Sequence, residues 1–203
     1  MDFLSNLQNI SSDITNTFTY VEKFSSVTST NFCDSICEEL LSNTDWQKHA
    51  WDNRYKKDVP TTNADPDVTV FSNSELTKTI DLCIQQYTQK QKTRYLELGI
   101  SAGWDIKQFS KPRWNKYSPG DNMTYHVDHI HSLFDDQLSK GIPVYSILGL
   151  VNSDFTGGDF MLCGKKQELQ KGDILIWPSN FLYPHQVSSI MSGSRITFVS
   201  WAW

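Results

Sequence analysis

The chain has 203 residues, with 18 Lys+Arg against 23 Asp+Glu, a formal charge of −5 and 38% hydrophobic residues. This is the composition of a folded globular protein long enough to bury a core without staples, and it argues against one that grips nucleic acid by net charge. No run approaches the ~18 apolar residues of a membrane helix, and Met1-Asp2-Phe3-Leu4-Ser5 carries an acid where a signal peptide carries Lys or Arg, so a cytoplasmic location is expected.

Residues 18–24 alternate like a strand, with Phe18, Tyr20, Glu22 and Phe24 on one side. Ser29, Thr30 and Asn31 offer caps for a helix over 32–41, where Phe32, Ile36, Leu40 and Cys33, Cys37, Leu41 recur every fourth residue. Residues 43–70 are polar, contain Pro60 and Pro66, and read as a loop. A second helix is predicted over 74–90, with Leu76, Ile80, Cys83, Ile84 and Tyr87 on one side. Cys33, Cys37, Cys83 and Cys163 form no CxxC pair, and the spacing predicts reduced, mostly buried thiols.

From residue 111 onward glycine and proline punctuate the chain far more densely, as many short strands require. Strands are expected at 124–130 and at the nearly all-apolar 143–152. A hairpin is expected from 159–163 through a turn at Gly164-Lys165-Lys166 into 167–170. After a turn at Lys171-Gly172-Asp173, a strand at 174–177 stops at Pro178, and 185–187 and 195–203 complete the set. The spacing is that of a sandwich or jelly roll.

The sharpest chemical feature is Tyr125-His126-Val127-Asp128-His129-Ile130-His131. On a strand, His126 and Asp128 share one face while His129 and His131 share the other. A histidine and a carboxylate on one face can take adjacent positions on a metal. A third ligand from a distant strand would complete a facial triad with three positions open, which suits non-haem Fe(II). Beyond this cluster only His49 and His185 remain, and His185 opens a predicted strand. The spacing alone implies a metal site and no more, and a buried histidine bonded to a neighbouring aspartate is the plainer reading of an isolated His-x-Asp. A zinc cluster of the metallo-β-lactamase kind needs a different order, H-x-H-x-D-H. His129 and His131 are expected at the rim. Arg195 and Thr197 share a face of the last strand among apolar neighbours. An arginine there is costly unless paired with an anion, and its fork suits a carboxylate. A structural Arg–Asp pair is the alternative.

Five segments together resemble the Fe(II)/2-oxoglutarate-dependent dioxygenases. Asn115-Lys116-Tyr117-Ser118-Pro119-Gly120 is similar to an N-x-Y-x-x-G segment, and His126-Val127-Asp128 to the first two iron ligands. Phe155-Thr156-Gly157-Gly158-Asp159-Phe160 is similar to F-x-G-G-E/D-L, and Gly172 to Ser179 to G-D-x-V/L-V/L-F-P-S. His185-Gln186-Val187 with Gly193-Ser194-Arg195 is similar to the distal histidine and the 2-oxoglutarate arginine. Within the superfamily the chain most resembles the prolyl 4-hydroxylase-like group, especially the PKHD-type hydroxylases. The resemblance covers about residues 111–203, with a weaker echo at Phe32-Cys33-Asp34.

The resemblance implies a mainly β fold with flanking helices (α+β): a double-stranded β-helix, or jelly roll, with N-terminal helices packed outside. It implies one dioxygenase domain over 1–203, in which 1–110 support a metal-binding core at 111–203. His126, Asp128 and His185 would hold Fe(II). The keto-acid end of 2-oxoglutarate would chelate the iron, and its far carboxylate would meet Arg195, helped by Thr197 and Tyr117. O2 is the second co-substrate, and ascorbate is an accessory that the resemblance brings with it. The implied reaction hydroxylates a C–H bond, first of all in a peptidyl proline, and yields succinate and CO2. A non-catalytic cupin-like jelly roll that binds a metal or ligand is the rival reading. A hydroxylase of a free amino acid or other small molecule is a second alternative.

The chain departs from the group in places. Met123 stands where many relatives have an aromatic, and Phe160 replaces the leucine after Gly-Gly-acid, which would narrow the pocket. Trp201 stands where the nucleic-acid-repair branch has a second arginine, so a nucleic-acid substrate is not expected. Lys107, Lys111, Arg113 and Lys116 precede the metal strand. They read either as a solvated loop or as a docking site for an acidic peptide or a carboxylated small molecule.

Overall fold

The structure is a computed structural model that describes residues 16–42, 44–50, 60–64, 74–99, 101, 105–106, 108–128, 134–135, 138–139 and 142–203. Two helices are present, α1 (Thr30–Ser42) and α2 (Ser74–Glu97). The strands of the first half are β1 (Glu22–Phe24), β2 (Gln47–Ala50) and β3 (Pro60–Ala64). The second half supplies β4 (Arg113–Tyr117), β5 (Met123–His126), β6 (Phe134–Asp135), β7 (Leu138–Ser139), β8 (Tyr145–Leu150) and β9 (Phe155–Gly157). It continues with β10 (Phe160–Leu162), β11 (Lys165–Lys166), β12 (Ile174–Pro178), β13 (His185–Val187), β14 (Ile190–Gly193) and β15 (Arg195–Ala202).

A seven-stranded antiparallel sheet runs β1-β12-β8-β15-β4-β3-β2, and a four-stranded sheet runs β11-β10-β13-β5. The large sheet is covered on both faces, and the parity of its strands says which side chain goes where. Trp114, Tyr145, Ile147, Ile174, Ile176, Ile196 and Phe198 point outward and form one core with the apolar faces of α1 and α2. Tyr117, Leu148, Leu175 and Trp177 point inward and form a second core with Met123, Phe160, Leu162 and Val187 of the smaller sheet. This is a jelly roll with helices outside, as expected. Gly149 belongs to the first core, since a Cβ there would lie 2.1 Å from the ring of Phe198.

Ser29 caps α1, its hydroxyl accepting from the Phe32 N–H at 3.2 Å. Phe32, Cys33, Ile36, Cys37 and Leu40 are buried as predicted, but Leu41 is 49% exposed because the second apolar stripe turns out of the contact. α2 continues past the predicted end at 90. Its last turns are polar, and they are held by Lys90 on Glu22 and by Arg94 on the Thr19 carbonyl rather than by apolar packing.

Other boundaries also move. The predicted strand at 18–24 is a short 3-10 helix, Thr17–Tyr20, followed by β1. The predicted loop at 43–70 contains β2 and β3, which continue the large sheet beyond β4. Strands at the outer edge of a sheet need no apolar alternation, and Pro60 sits at the first position of β3, where the ladder tolerates it. The hairpin turns at Cys163-Gly164, one residue earlier than predicted. Both residues have positive φ, 49° and 77°, the signature of a type I′ turn. Lys165–Lys166 is then a strand, and residues 167–170 are irregular. The predicted strand at 124–130 ends at His126, with 129–130 outside the described residues.

The two halves of the chain are joined through the sheet and through Asp173. β1 pairs with β12, and β3 with β4. The buried Asp173 carboxylate accepts the N–H groups of Ser26 and Gln170, both at 2.9 Å, and lies 3.6 Å from Lys23 Nζ.

Candidate metal centre and co-substrate pocket

His126 closes β5 and His185 opens β13, and the two are register partners in the smaller sheet. Asp128 lies two residues beyond the end of β5. The ligand atoms of His126, Asp128 and His185 lie within 4.8 Å of one another, and Asp128 Oδ1 is 3.8 Å from His185 Nε2. The three residues read from the sequence therefore meet. His129 and His131 lie outside the described residues.

Each imidazole is oriented by the backbone two residues upstream. His126 Nδ1 lies 2.8 Å from the Thr124 carbonyl, and His185 Nδ1 lies 3.0 Å from the Tyr183 carbonyl. A carbonyl can only accept, so both Nδ1 atoms carry the proton and Nε2 is the lone-pair nitrogen. Burial, and secondarily the neighbouring His185, lower the pKa of His126 to about 4, so it is neutral across the physiological range. On the carboxylate side, Ser146 of β8 donates to Asp128 Oδ2 at 2.5 Å. Asp128 thus presents Oδ1 to His185 while Oδ2 is held. Two imidazole Nε2 atoms and one carboxylate oxygen, each side chain tied at its far side, fit a divalent metal such as Fe(II).

Apolar rings wall the triad. Trp177 packs edge-on against His185 with centroids 5.2 Å apart, and Phe160 lies 5.7 Å from the same ring. Phe160 also lines the neighbouring cavity that holds Arg195, so it stands between the two.

Arg195 is 1% exposed, and its Nη1 has no hydrogen-bond partner among the described residues. Tyr117, its register partner, lies under the guanidinium, which is 5.4 Å from the ring centroid. Burial lowers the arginine pKa, and Tyr117 and Asp159 act against this; the group remains a cation. Thr197 is fully buried on the same face, and its Oγ1 also lacks a partner. Across from it, Asn115 Oδ1 is in the same position. A buried cation and buried polar atoms without partners are the complement of a bound carboxylate. Gly158 permits the loop above to come this close: its φ is 65°, and a Cβ would lie 3.0 Å from Arg195 Cδ.

Sequence reasoning missed Ser146, Asn115 and Trp177. Ser146 had one signal, a single hydroxyl at an inward parity position of an otherwise apolar strand. Of the basic residues at 107–116, Arg113 enters the triad cavity. Lys116 faces the other way, over Trp46, and Lys111 is exposed.

Residues 112–203 match the family model of the 2OG-Fe(II) oxygenase superfamily. That segment is about 45% of the chain, and it is what the likeness to the superfamily rests on. Within the matched segment lie every residue of the triad and Arg195, Thr197 and Tyr117. A PKHD-type hydroxylase of Idiomarina loihiensis is 32% identical over 102 residues, which is 47% of this chain and 43% of that protein. The chain thus spans about half the length of the curated relatives it matches. The likeness in fold extends further than the likeness in sequence. The viral collagen prolyl hydroxylase of Paramecium bursaria Chlorella virus-1, solved with 2-oxoglutarate, superposes with a TM-score of 0.63 at 15% identity, covering 90% of this chain and 94% of that one. A prolyl hydroxylase of Trichoplax adhaerens, solved with a hypoxia inducible factor peptide, gives 0.64 at 12% identity, covering 100% and 94%.

Proposed function

We propose that the chain is a single Fe(II)/2-oxoglutarate-dependent dioxygenase domain, with residues 1–110 supporting a core at 111–203. The observation that carries this is the convergence of His126, Asp128 and His185 beside a buried arginine whose Nη1 has no partner among the described residues. In this reading the three side chains hold Fe(II), and Arg195 receives the far carboxylate of 2-oxoglutarate, with Thr197 and Tyr117 beside it. The bound iron supplies the activation of O2. The balance is one O2, one 2-oxoglutarate and one C–H bond in, and succinate, CO2 and one C–OH out. The protein orients 2-oxoglutarate and the substrate, keeps His126 and Asp128 from turning, and excludes water with Phe160 and Trp177.

The proline-directed names of the neighbouring proteins make a proline-containing peptide the first substrate to test. Free amino acids come second, and nucleic acid is disfavoured by the net charge. No helix among the described residues is long and apolar enough to cross a membrane. The four free thiols fit the reducing cytoplasm. Ascorbate would serve to keep the iron ferrous.

The test is CO2 release from carboxyl-labelled 2-oxoglutarate by the full chain loaded with Fe(II). Release that needs both iron and O2 and vanishes in His185→Ala is expected. Stoichiometric metal and 2-oxoglutarate binding without release, with every peptide and amino acid tried, would make the protein a binding module.

A further inference from the structure

Arg195 reaches its cavity beside the turn that leads into β10. A Cβ on Gly158 would lie 3.0 Å from Arg195 Cδ, so the residue after Gly158 starts next to the arginine side chain. That residue is Asp159, and it lines the same cavity as Arg195. Its negative charge is felt by the guanidinium. The backbone of Asp159 is clamped: its N–H donates to Ser188 Oγ at 2.8 Å, and its carbonyl accepts the Ser188 N–H at 3.0 Å. Only the carboxylate is left to choose a partner.

A carboxylate beside a buried arginine is that arginine's natural counter-ion. Yet Nη1 of Arg195 has no hydrogen-bond partner, and Asp159 turns to Lys166 instead, with Oδ1 3.0 Å from Nζ. Lys166 lines the cavity too. It lies on β11 across from Met161, and the next residue, Gln167, donates its N–H to the Phe160 carbonyl at 2.8 Å. The ammonium is thereby fixed beside the β10 residue that follows Asp159. Glu168, 3.6 Å from the same ammonium, is its second acid.

We propose that Lys166 is a positioning residue for the co-substrate: it holds the Asp159 carboxylate off Arg195 and so keeps the guanidinium open to the far carboxylate of 2-oxoglutarate, which rests on the reading of Arg195 as the arginine for that group. Without the lysine, Asp159 becomes a tethered competitor for the same fork. One carboxylate is carried by the chain and the other by the ligand, so the competition is read directly as a dissociation constant.

The experiment is anaerobic calorimetry of 2-oxoglutarate on the full chain loaded with Fe(II), as a double-mutant cycle of Lys166→Gln and Asp159→Asn. Lys166→Gln should raise the dissociation constant about two- to fivefold, the range open to a half-exposed ion pair. Lys166→Arg should leave it near the wild-type value. In the Asp159→Asn background Lys166→Gln should change nothing, since no carboxylate remains to be held. A lysine that only added positive charge at the cavity mouth would give the same rise in both backgrounds, and that result overturns the proposal. So does an unchanged constant in Lys166→Gln, or a loss of bound iron in that variant, which would make the pair structural. Arg195→Ala separates the two readings. An affinity that falls in Arg195→Ala but not in Lys166→Gln overturns this proposal alone, whereas one that survives Arg195→Ala overturns the co-substrate reading and this proposal with it.

Discussion

His126 and His185 face one another across paired antiparallel strands, with ring centroids 4.2 Å apart and each Nδ1 tied to a carbonyl two residues upstream. Neither tether depends on the other half of the triad. The ligand set is built from two local contacts brought side by side by one strand register.

His126→Ala, Asp128→Ala and His185→Ala should each abolish stoichiometric metal binding, because a triad has no spare protein ligand. Metal content after gel filtration, with circular dichroism to check folding, measures this. His129→Ala and His131→Ala should retain the metal. Iron that survives loss of His185 but not of His129 would mean the wrong histidines have been assigned.

Ser146→Ala should weaken metal binding roughly 10–100-fold, the usual cost of removing a partner of a metal-binding carboxylate. The hydroxyl holds Asp128 Oδ2. Ser146→Thr should recover much of the affinity. Competition with a chelator gives the constants. A wild-type constant in Ser146→Ala would show that Asp128 needs no orienting partner.

Arg195→Ala should raise the 2-oxoglutarate dissociation constant by an amount equivalent to about 2–5 kcal/mol, since truncation leaves a desolvated carboxylate unpaired. Arg195→Lys should return part of this. Tyr117→Phe should cost about 0.5–1.5 kcal/mol if the hydroxyl meets the co-substrate. Calorimetry with the metal-loaded protein reads all three, and unchanged affinity in Arg195→Ala would make this arginine structural.

The cysteines set an alkaline limit. Burial pushes the Cys37 thiol up to about 12 and the Cys83 thiol to about 11, from an ordinary 9.0. Above pH 9 the unfolded chain releases these protons while the folded chain keeps them. The stabilisation is therefore complete below pH 9 and is lost as pH rises toward 12. Denaturant midpoints should fall over that window, and less steeply in Cys37→Ala/Cys83→Ala. At pH 8 a disulfide thiol reagent should find Cys33, Cys37 and Cys83 inert in the native protein, and all four thiols once it is denatured.

The triad was legible in the sequence, although strand alternation explains only part of it. One strand was to carry His126 and Asp128 on a shared face, yet β5 ends at His126 and Asp128 reaches the site past that end. Alternation served as a guide because the chain stays extended there even where pairing stops. Arg195 and Thr197 were legible because a cation and a hydroxyl in an apolar strand are costly unless used. β2 and β3 were not, because their polar residues carry no apolar alternation at the outer edge of the sheet. β4 was known only as a motif: its inward residues Arg113, Asn115 and Tyr117 are polar, and they look like loop until the cavity they line is seen. Ser146 was hidden by the apolar run around it.

The pairing of β1 with β12 and of β3 with β4 has a further consequence, which concerns solubility. Without the first half of the chain, the large sheet would end in two naked edges at β12 and β4, with Trp114 and Phe198 uncovered on its outer face. Unpaired edges next to an apolar surface template strand addition between molecules. A fragment of residues 111–203 would hold every proposed ligand and still be expected to aggregate, because β1, β3 and the two helices that cover those surfaces would be gone.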